Sequence, residues 1–170
     1  MIPRVGIGYD VHPFADGRAL VLGGETLPGA RGLAGHSDAD ALCHAIADAL
    51  LGALALGDLG AHFPDTDPQW QGASSLALLA QVAAMVAGRG YAVGNVDATV
   101  LTEAPKLAPH VPAMRSNLAR ALGIGIYGVS VKATRPEGLG SLGRGEGLAV
   151  WAVAMLVPRA DGMRTDGERA

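Results

Sequence analysis

Gly8-Tyr9-Asp10-Val11-His12 is the stretch from which the rest of the chain is read. It closes a short apolar run, residues 4–9, that has the character of a first strand. Alternate side chains of an extended backbone point to one side, so Asp10 and His12 share a face. A carboxylate and an imidazole side by side at a strand end can ligate one divalent metal. The plainer reading of this tripeptide is an Asp–His hydrogen bond or a solvated turn. Residues further along decide between the two.

Outward from this strand, residues 18–23 read as a second strand, reached through the 13–17 loop. His36-Ser37-Asp38 then opens a helix running to about Leu56, with Ser37 or Asp38 suited to accept from an orphan N–H of its first turn. Leu42, Ala45, Ile46, Ala49, Leu50 and Leu54 share one face at helical spacing, and Asp40, His44, Asp48 and Leu51 another. Gly57 ends the helix, and residues 58–68 form a polar loop. A second amphipathic helix spans 74–88, with Leu78, Leu79, Val82 and Val86 inward. Residues 91–101 alternate as a strand, with Val96, Ala98 and Val100 on one side and Asn95, Asp97 and Thr99 on the other. A third helix spans 112–122, with Pro112 in its first turn and Gly123 at its end. Strands follow at 129–133 and 148–157, around a Gly-rich loop at 134–147. About five strands and three main helices in mixed order predict an α/β fold, an α+β two-layer sandwich with a mixed sheet covered by helices on one face. Residues 1–158 read as a single catalytic domain and 159–170 as a disordered tail.

Composition narrows the function. The net charge of −3 gives no basic footprint for nucleic acid. An anionic substrate therefore needs local help from metals, helix N-termini or a few Lys and Arg. The single cysteine, Cys43, excludes an intramolecular disulfide and a cysteine-based zinc site. No charged-then-apolar signal pattern opens the chain, and no apolar stretch of membrane length runs uninterrupted. A cytoplasmic protein is the expectation.

His44 joins Asp10 and His12 to make a set of three ligands with a fourth position open, the pattern of a catalytic zinc site. Asp40 and Asp48, one turn either side of His44, are candidates for its supporting hydrogen bonds. His36 lies at the expected helix start, where N–H groups favour a phosphate oxygen. Asp58, Asp65 and Asp67 could bind polyol hydroxyls, although Asp-Thr-Asp-Pro is also ordinary turn chemistry. The loop at 102–108 offers backbone groups and Lys106. The Gly-rich loop offers Thr134, Arg135, Glu137, Arg144 and Glu146, and Glu137 could take a harder cation such as Mg²⁺. No Gly-Lys-Ser/Thr follows its glycines, so it is not a Walker loop.

Gly-Tyr-Asp-Val-His (8–12), Ala-Gly-His-Ser-Asp-Ala-Asp (34–40), Leu-Gly-Asp-Leu-Gly (56–60), Phe-Pro-Asp-Thr-Asp-Pro (63–68), Ala-Pro-Lys (104–106), Val-Lys-Ala-Thr (131–134) and Gly-Arg-Gly-Glu-Gly (143–147) stand in a telling order and spacing. Over residues 4–158 the chain resembles the 2-C-methyl-D-erythritol 2,4-cyclodiphosphate synthase family. The resemblance implies a homotrimer, with sheets packed around the axis and active sites between subunits. It implies an enzyme of non-mevalonate isoprenoid biosynthesis, a metal-dependent phosphorus–oxygen lyase. Its substrate would be 4-diphosphocytidyl-2-C-methyl-D-erythritol 2-phosphate, cyclised with release of CMP. Zinc, or another divalent transition metal, is then expected on Asp10, His12 and His44. Mg²⁺ or Mn²⁺ bridging the substrate diphosphate is expected on Glu137. His36, Arg135 and Asp10 form the expected catalytic set. Substrate contacts are expected from Asp10, His12, His36 and Ser37, from Asp58, Gly60, Phe63, Asp65 and Asp67, and from Lys106, Thr134, Arg135, Glu137 and Arg144. Lys106 and Thr134 would belong to the neighbouring subunit. Arg144 and Glu146 match a motif lining an axial cavity, a candidate regulatory site for an isoprenoid diphosphate.

Two departures stand out. Arg135 replaces the hydroxyl residue usual after Thr134, and Ser141 stands where the family often has Phe. Leu107 and Ala108 are milder changes. Two other readings remain at this point: a non-catalytic trimer binding CMP-like nucleotides or isoprenoid diphosphates, and a metal-dependent hydrolase of nucleotide diphosphates.

Overall fold

The computed structural model describes residues 1–159, so most of the expected tail lies outside the described residues. The central sheet is mixed. Strand β1 (Arg4–Ala15) pairs antiparallel with β7 (Gly147–Pro158), β7 with β5 (Tyr91–Leu101), and β5 runs parallel to β6 (Val129–Thr134). The short β4 (Gly32–Leu33) closes the other edge, giving the order β4-β1-β7-β5-β6. A separate two-stranded ribbon joins β2 (Leu20–Leu22) and β3 (Glu25–Leu27). Helices α1 (Ala41–Ala53), α3 (Ser75–Gly88) and α4 (Val111–Leu122) supply the second layer, with short turns of helix at α2 (Leu59–His62) and α5 (Gly140–Gly143). This is the expected two-layer α/β architecture. Among the described residues no helix is long and apolar enough to cross a membrane.

The two faces of the sheet differ. Leu148, Val150, Ala152, Ala154 and Leu156 of β7, with Val96, Ala98 and Val100 of β5, are buried beneath the helices. Val5, Ile7, Tyr9 and Val11 of β1, with Trp151, Val153 and Met155 of β7, point the other way and are exposed. The near-continuous apolar run of β7 therefore has one covered side and one open side.

The elements differ from expectation at their ends. Strand β1 continues to Ala15, because residues as far as Pro13 stay in register with β7 and Phe14 and Ala15 pair with β4. The expected 18–23 strand is one arm of the β2–β3 ribbon. Helix α1 starts at Ala41, not at His36: Asp40 is its cap and accepts from Cys43 N–H at 3.1 Å. Ala39 before it has a left-handed backbone (φ 58°), so the helix cannot extend further back. The helix stops at Ala53, and Ala55 takes the left-handed conformation (φ 55°) two residues ahead of Gly57. On its second face Asp40 and Leu51 are fully buried, and His44 and Asp48 are half-buried. Helix α3 starts one residue later than expected, with Ser74 as its cap, while its inward Leu78, Leu79, Val82 and Val86 and the Gly123 stop of α4 follow the sequence reading.

Candidate metal centre and substrate cleft

Glycine on β1 brings the candidate metal ligands together. A Cβ on Gly6 would lie 2.0 Å from the Ala49 carbonyl oxygen, and one on Gly8 1.9 Å from that of Ala45. Both positions must lack a side chain for α1 to rest on the strand backbone. The same side of β1 then carries Asp10 and His12, and α1 lays His44 directly over them.

The three side chains converge. Asp10 Oδ2 lies 2.9 Å from His12 Nε2 and 3.0 Å from His44 Nδ1. The donor atoms of all three lie within 4.8 Å of one another. That is the scale of a tetrahedral zinc site, where Zn–N distances of about 2.0 Å set donors about 3.3 Å apart. Each ligand is held from behind. Asp10 Oδ1 accepts from Val11 N–H at 2.9 Å, and His12 Nδ1 donates to the Ala34 carbonyl at 2.6 Å. The carbonyl can only accept, so Nδ1 carries a proton and Nε2 is the nitrogen His12 would offer to a metal in place of its hydrogen bond to Asp10. Burial raises the Asp10 carboxyl, but its hydrogen bonds and attraction to both histidines prevail and hold it well below the usual carboxylate range. The Asp10 hydrogen bond in turn raises His12 against the opposing effect of burial.

His44 is not supported as expected. Asp40 turns away and accepts from the backbone N–H groups of Gly23 and Gly24 at 2.9 and 2.7 Å and from the Cys43 thiol at 3.2 Å. Complete burial pushes its carboxyl up despite these donors, and burial raises the Cys43 thiol strongly. Asp48 accepts from Leu59 N–H at 2.7 Å and so fixes α2. The far side of the His44 ring instead meets Ser75 Oγ at 2.9 Å and Ser37 Oγ at 3.3 Å. Ser75 was not legible as a site residue, because it lies 31 positions from His44 at the start of another helix.

A cleft of about 690 Å³ opens over this centre. Asp10, His12, His44, His36 and Ser37 line one part, and Gly60, Phe63, Asp65 and Trp70 another. Phe63 and Trp70 meet edge to face at 5.0 Å and form an aromatic wall. Nε2 of His36 is shielded from solvent with no hydrogen-bond partner among the described residues. Arg18, absent from the sequence reading, donates to the carbonyls of Gly35 (2.8 Å) and Ser37 (2.5 Å) and clamps the loop that carries His36.

Other expected residues lie elsewhere. Asp58 caps α2 through Ala61 N–H, and Asp67 caps the turn at Pro68–Trp70 through Gln69 N–H, so their carboxylates serve the local backbone. Lys106, Thr134, Arg135, Glu137 and Arg144 do not line the cleft of their own chain. Arg135 contacts Glu103 through Nε and one terminal nitrogen, both at 3.0 Å, and Glu103 also accepts from Gly138 N–H at 2.6 Å. The Gly138 N–H, then Arg135, hold the Glu103 carboxyl below its ordinary range. Glu137, between them, has a left-handed backbone (φ 54°). Arg144 pairs with Glu146 at 2.7 Å.

The model of the YgbB family matches residues 3–157. The 2-C-methyl-D-erythritol 2,4-cyclodiphosphate synthase of Salinibacter ruber is 61% identical over 153 residues, covering 90% of this chain and 98% of that protein. That of Trichlorobacter lovleyi is 56% identical over 156 residues, covering 92% and 99%. A solved 2C-methyl-D-erythritol-2,4-cyclodiphosphate synthase in a CDP-bound form superposes with a TM-score of 0.83 at 36% identity, over 91% of this chain and 100% of that one. The bifunctional IspDF of Campylobacter jejuni gives a TM-score of 0.87 at 42% identity, over 91% of this chain and 42% of that longer one. The chain belongs to the YgbB family, that of the 2-C-methyl-D-erythritol 2,4-cyclodiphosphate synthases.

Proposed function

We propose that this chain cyclises 4-diphosphocytidyl-2-C-methyl-D-erythritol 2-phosphate in non-mevalonate isoprenoid biosynthesis. An oxygen of the 2-phosphate attacks the β-phosphorus, forming one P–O bond. The bond from the β-phosphorus to the bridging oxygen breaks, and CMP leaves with its electron pair. The nucleophile belongs to the substrate, so no protein nucleophile is required and buried Cys43 stays idle. Phosphoryl transfer of this kind asks chiefly for positioning and charge neutralisation.

The observation that carries the reading is the convergence of Asp10, His12 and His44 on the floor of the cleft. These residues would hold zinc or a similar divalent transition metal, and Glu137 a Mg²⁺ or Mn²⁺. Bound there, the two ions supply positive charge to phosphate oxygens that otherwise repel one another and an acidic protein. His36 donates to the phosphate under attack through its unpartnered Nε2, and Ser37 holds a phosphate oxygen beside it. Gly60, Phe63 and Asp65 hold the methylerythritol end, with Asp58 and Asp67 shaping that loop. Lys106, Thr134 and Arg135 of a neighbouring subunit hold the cytidine and its phosphates. The remaining terminal nitrogen of Arg135 is the donor that replaces the usual hydroxyl.

The assembly we propose is a trimer built on the open sheet face. Support comes from the apolar side chains exposed there: Ile7 is 69% and Val5 67% exposed, on a surface monomers rarely leave uncovered. Arg144 and Glu146 would line an axial cavity able to take an isoprenoid diphosphate. The bound CDP of related solved structures supports a cytidine-diphosphate substrate.

The test is turnover of the cytidine diphosphate substrate with zinc and Mg²⁺, following CMP and the phosphorus resonance of the product. Stoichiometric CMP with a cyclic diphosphate is the expected result. An open-chain product would mean hydrolysis instead, and absence of CMP from folded, zinc-loaded protein would mean binding without catalysis.

A further inference from the structure

Ser75 is 1% exposed and sits in the first turn of α3, with its hydroxyl between two partners. Its Oγ lies 2.5 Å from Asp38 Oδ1 and 2.9 Å from His44 Nε2. The Ser75 N–H also donates to the Asp38 carboxylate, at 3.1 and 3.2 Å. A hydroxyl has one proton, and an ionised carboxylate can only accept. The Ser75 proton is therefore committed to Asp38, and its oxygen can only accept from His44. That requires a proton on His44 Nε2, so Nδ1, which faces Asp10 Oδ2 at 3.0 Å, is the nitrogen that gives up its proton when a metal takes its place between them.

From this chain we infer that Ser75 and Asp38 are positioning residues that fix the His44 tautomer for metal binding. The inference rests on the reading of Asp10, His12 and His44 as metal ligands. The two histidines are then set in opposite senses by unlike partners. His12 gives its Nδ1 proton to a backbone carbonyl, and His44 gives its Nε2 proton to a serine polarised by a carboxylate. Ser37 Oγ, 3.2 Å from Ser75 Oγ, can donate to the second lone pair of that oxygen without disturbing the order. Neither Ser75 nor Asp38 needs to touch substrate. Outer partners of metal-bound histidines commonly set affinity by about 10–100-fold.

The test is zinc affinity by chelator competition, with the ring tautomer of His44 read from ¹⁵N-histidine NMR. Ser75→Ala is expected to weaken zinc by about 10-fold or more, and Ser75→Thr, which restores a hydroxyl, to recover most of it. Asp38→Asn keeps the shape but can donate to Ser75, freeing the serine proton to turn toward His44. It is expected to weaken zinc and to shift the ring toward an Nδ1-protonated form, and it serves if Ser75→Ala does not fold. Wild-type zinc affinity in Ser75→Ala or Asp38→Asn, or a zinc-loaded wild type whose His44 ring carries its proton on Nδ1, overturns the inference. His44→Ala separates the two levels: if it keeps wild-type zinc affinity, the metal centre itself is misassigned.

Discussion

At Asp40 one buried carboxylate ties the β2–β3 turn to the start of α1, accepting from Gly23, Gly24 and Cys43 at once. Asp40→Ala strands these buried N–H groups and removes the helix cap, so we expect a loss of about 2–4 kcal/mol. Denaturant unfolding measures it, and a loss under about 1 kcal/mol would contradict the assigned role. At this scale the sequence is legible where chemistry follows from residue type and short spacing. Asp10 and His12 two apart on a strand, and His44 on the next long helix, are such a case. The roles of Ser75, Arg18 and Asp40 were not legible, because each acts across the fold on a segment that spacing does not relate to it. Asp48 and Asp40 look like partners of His44 on a helical wheel, yet both are used by neighbouring backbone N–H groups.

Among the elements, α1 and β1 decide whether a site exists. Periodicity located the three main helices and β5, which have a clear apolar side, and β6 and β7 were legible as short, largely apolar runs bounded by glycine-rich loops. Helix α1 misled at both ends: it is capped by a fully buried Asp40 at its start and by Leu54, followed by a left-handed Ala55, at its end, whereas the sequence offered Ser37, Asp38 and Gly57 as better-looking signals. The close approach of α1 to β1 is set by Gly6 and Gly8, whose meaning appears only once the helix is seen lying on them. A methyl on Gly8 would fall 1.9 Å from the Ala45 carbonyl oxygen and 2.8 Å from Ala49 N, both backbone atoms that cannot give way cheaply. Gly8→Ala should therefore cost about 3 kcal/mol and, by lifting His44 from Asp10, weaken zinc binding in the folded fraction. A Gly8→Ala protein with unchanged stability and zinc affinity would show that the helix is not held where it is drawn.

Over the whole molecule, the sheet has one face covered by helices, which builds the core, and one open apolar face. The exposed row of Ile7, Tyr9, Trp151 and Val153 is the surface on which the proposed trimer depends, with the Tyr9 and Trp151 rings 4.9 Å apart and tilted by 49°. Ile7→Asp should give monomers in sedimentation velocity, with turnover lost because Lys106, Thr134 and Arg135 no longer reach a neighbour's cleft. A trimer that persists would place the interface elsewhere. Sequence pattern could show that β7 is apolar throughout, but not which side lacks a helix. The central claim is that Asp10, His12 and His44 form the metal centre of a CMP-releasing cyclase. The measurement that tests it most directly is CMP release from chelator-stripped protein as zinc is titrated back, beside His44→Ala. The account predicts turnover that recovers with one zinc per chain and a correctly folded variant that neither binds zinc nor turns over. Full turnover by metal-free protein or by His44→Ala would contradict it.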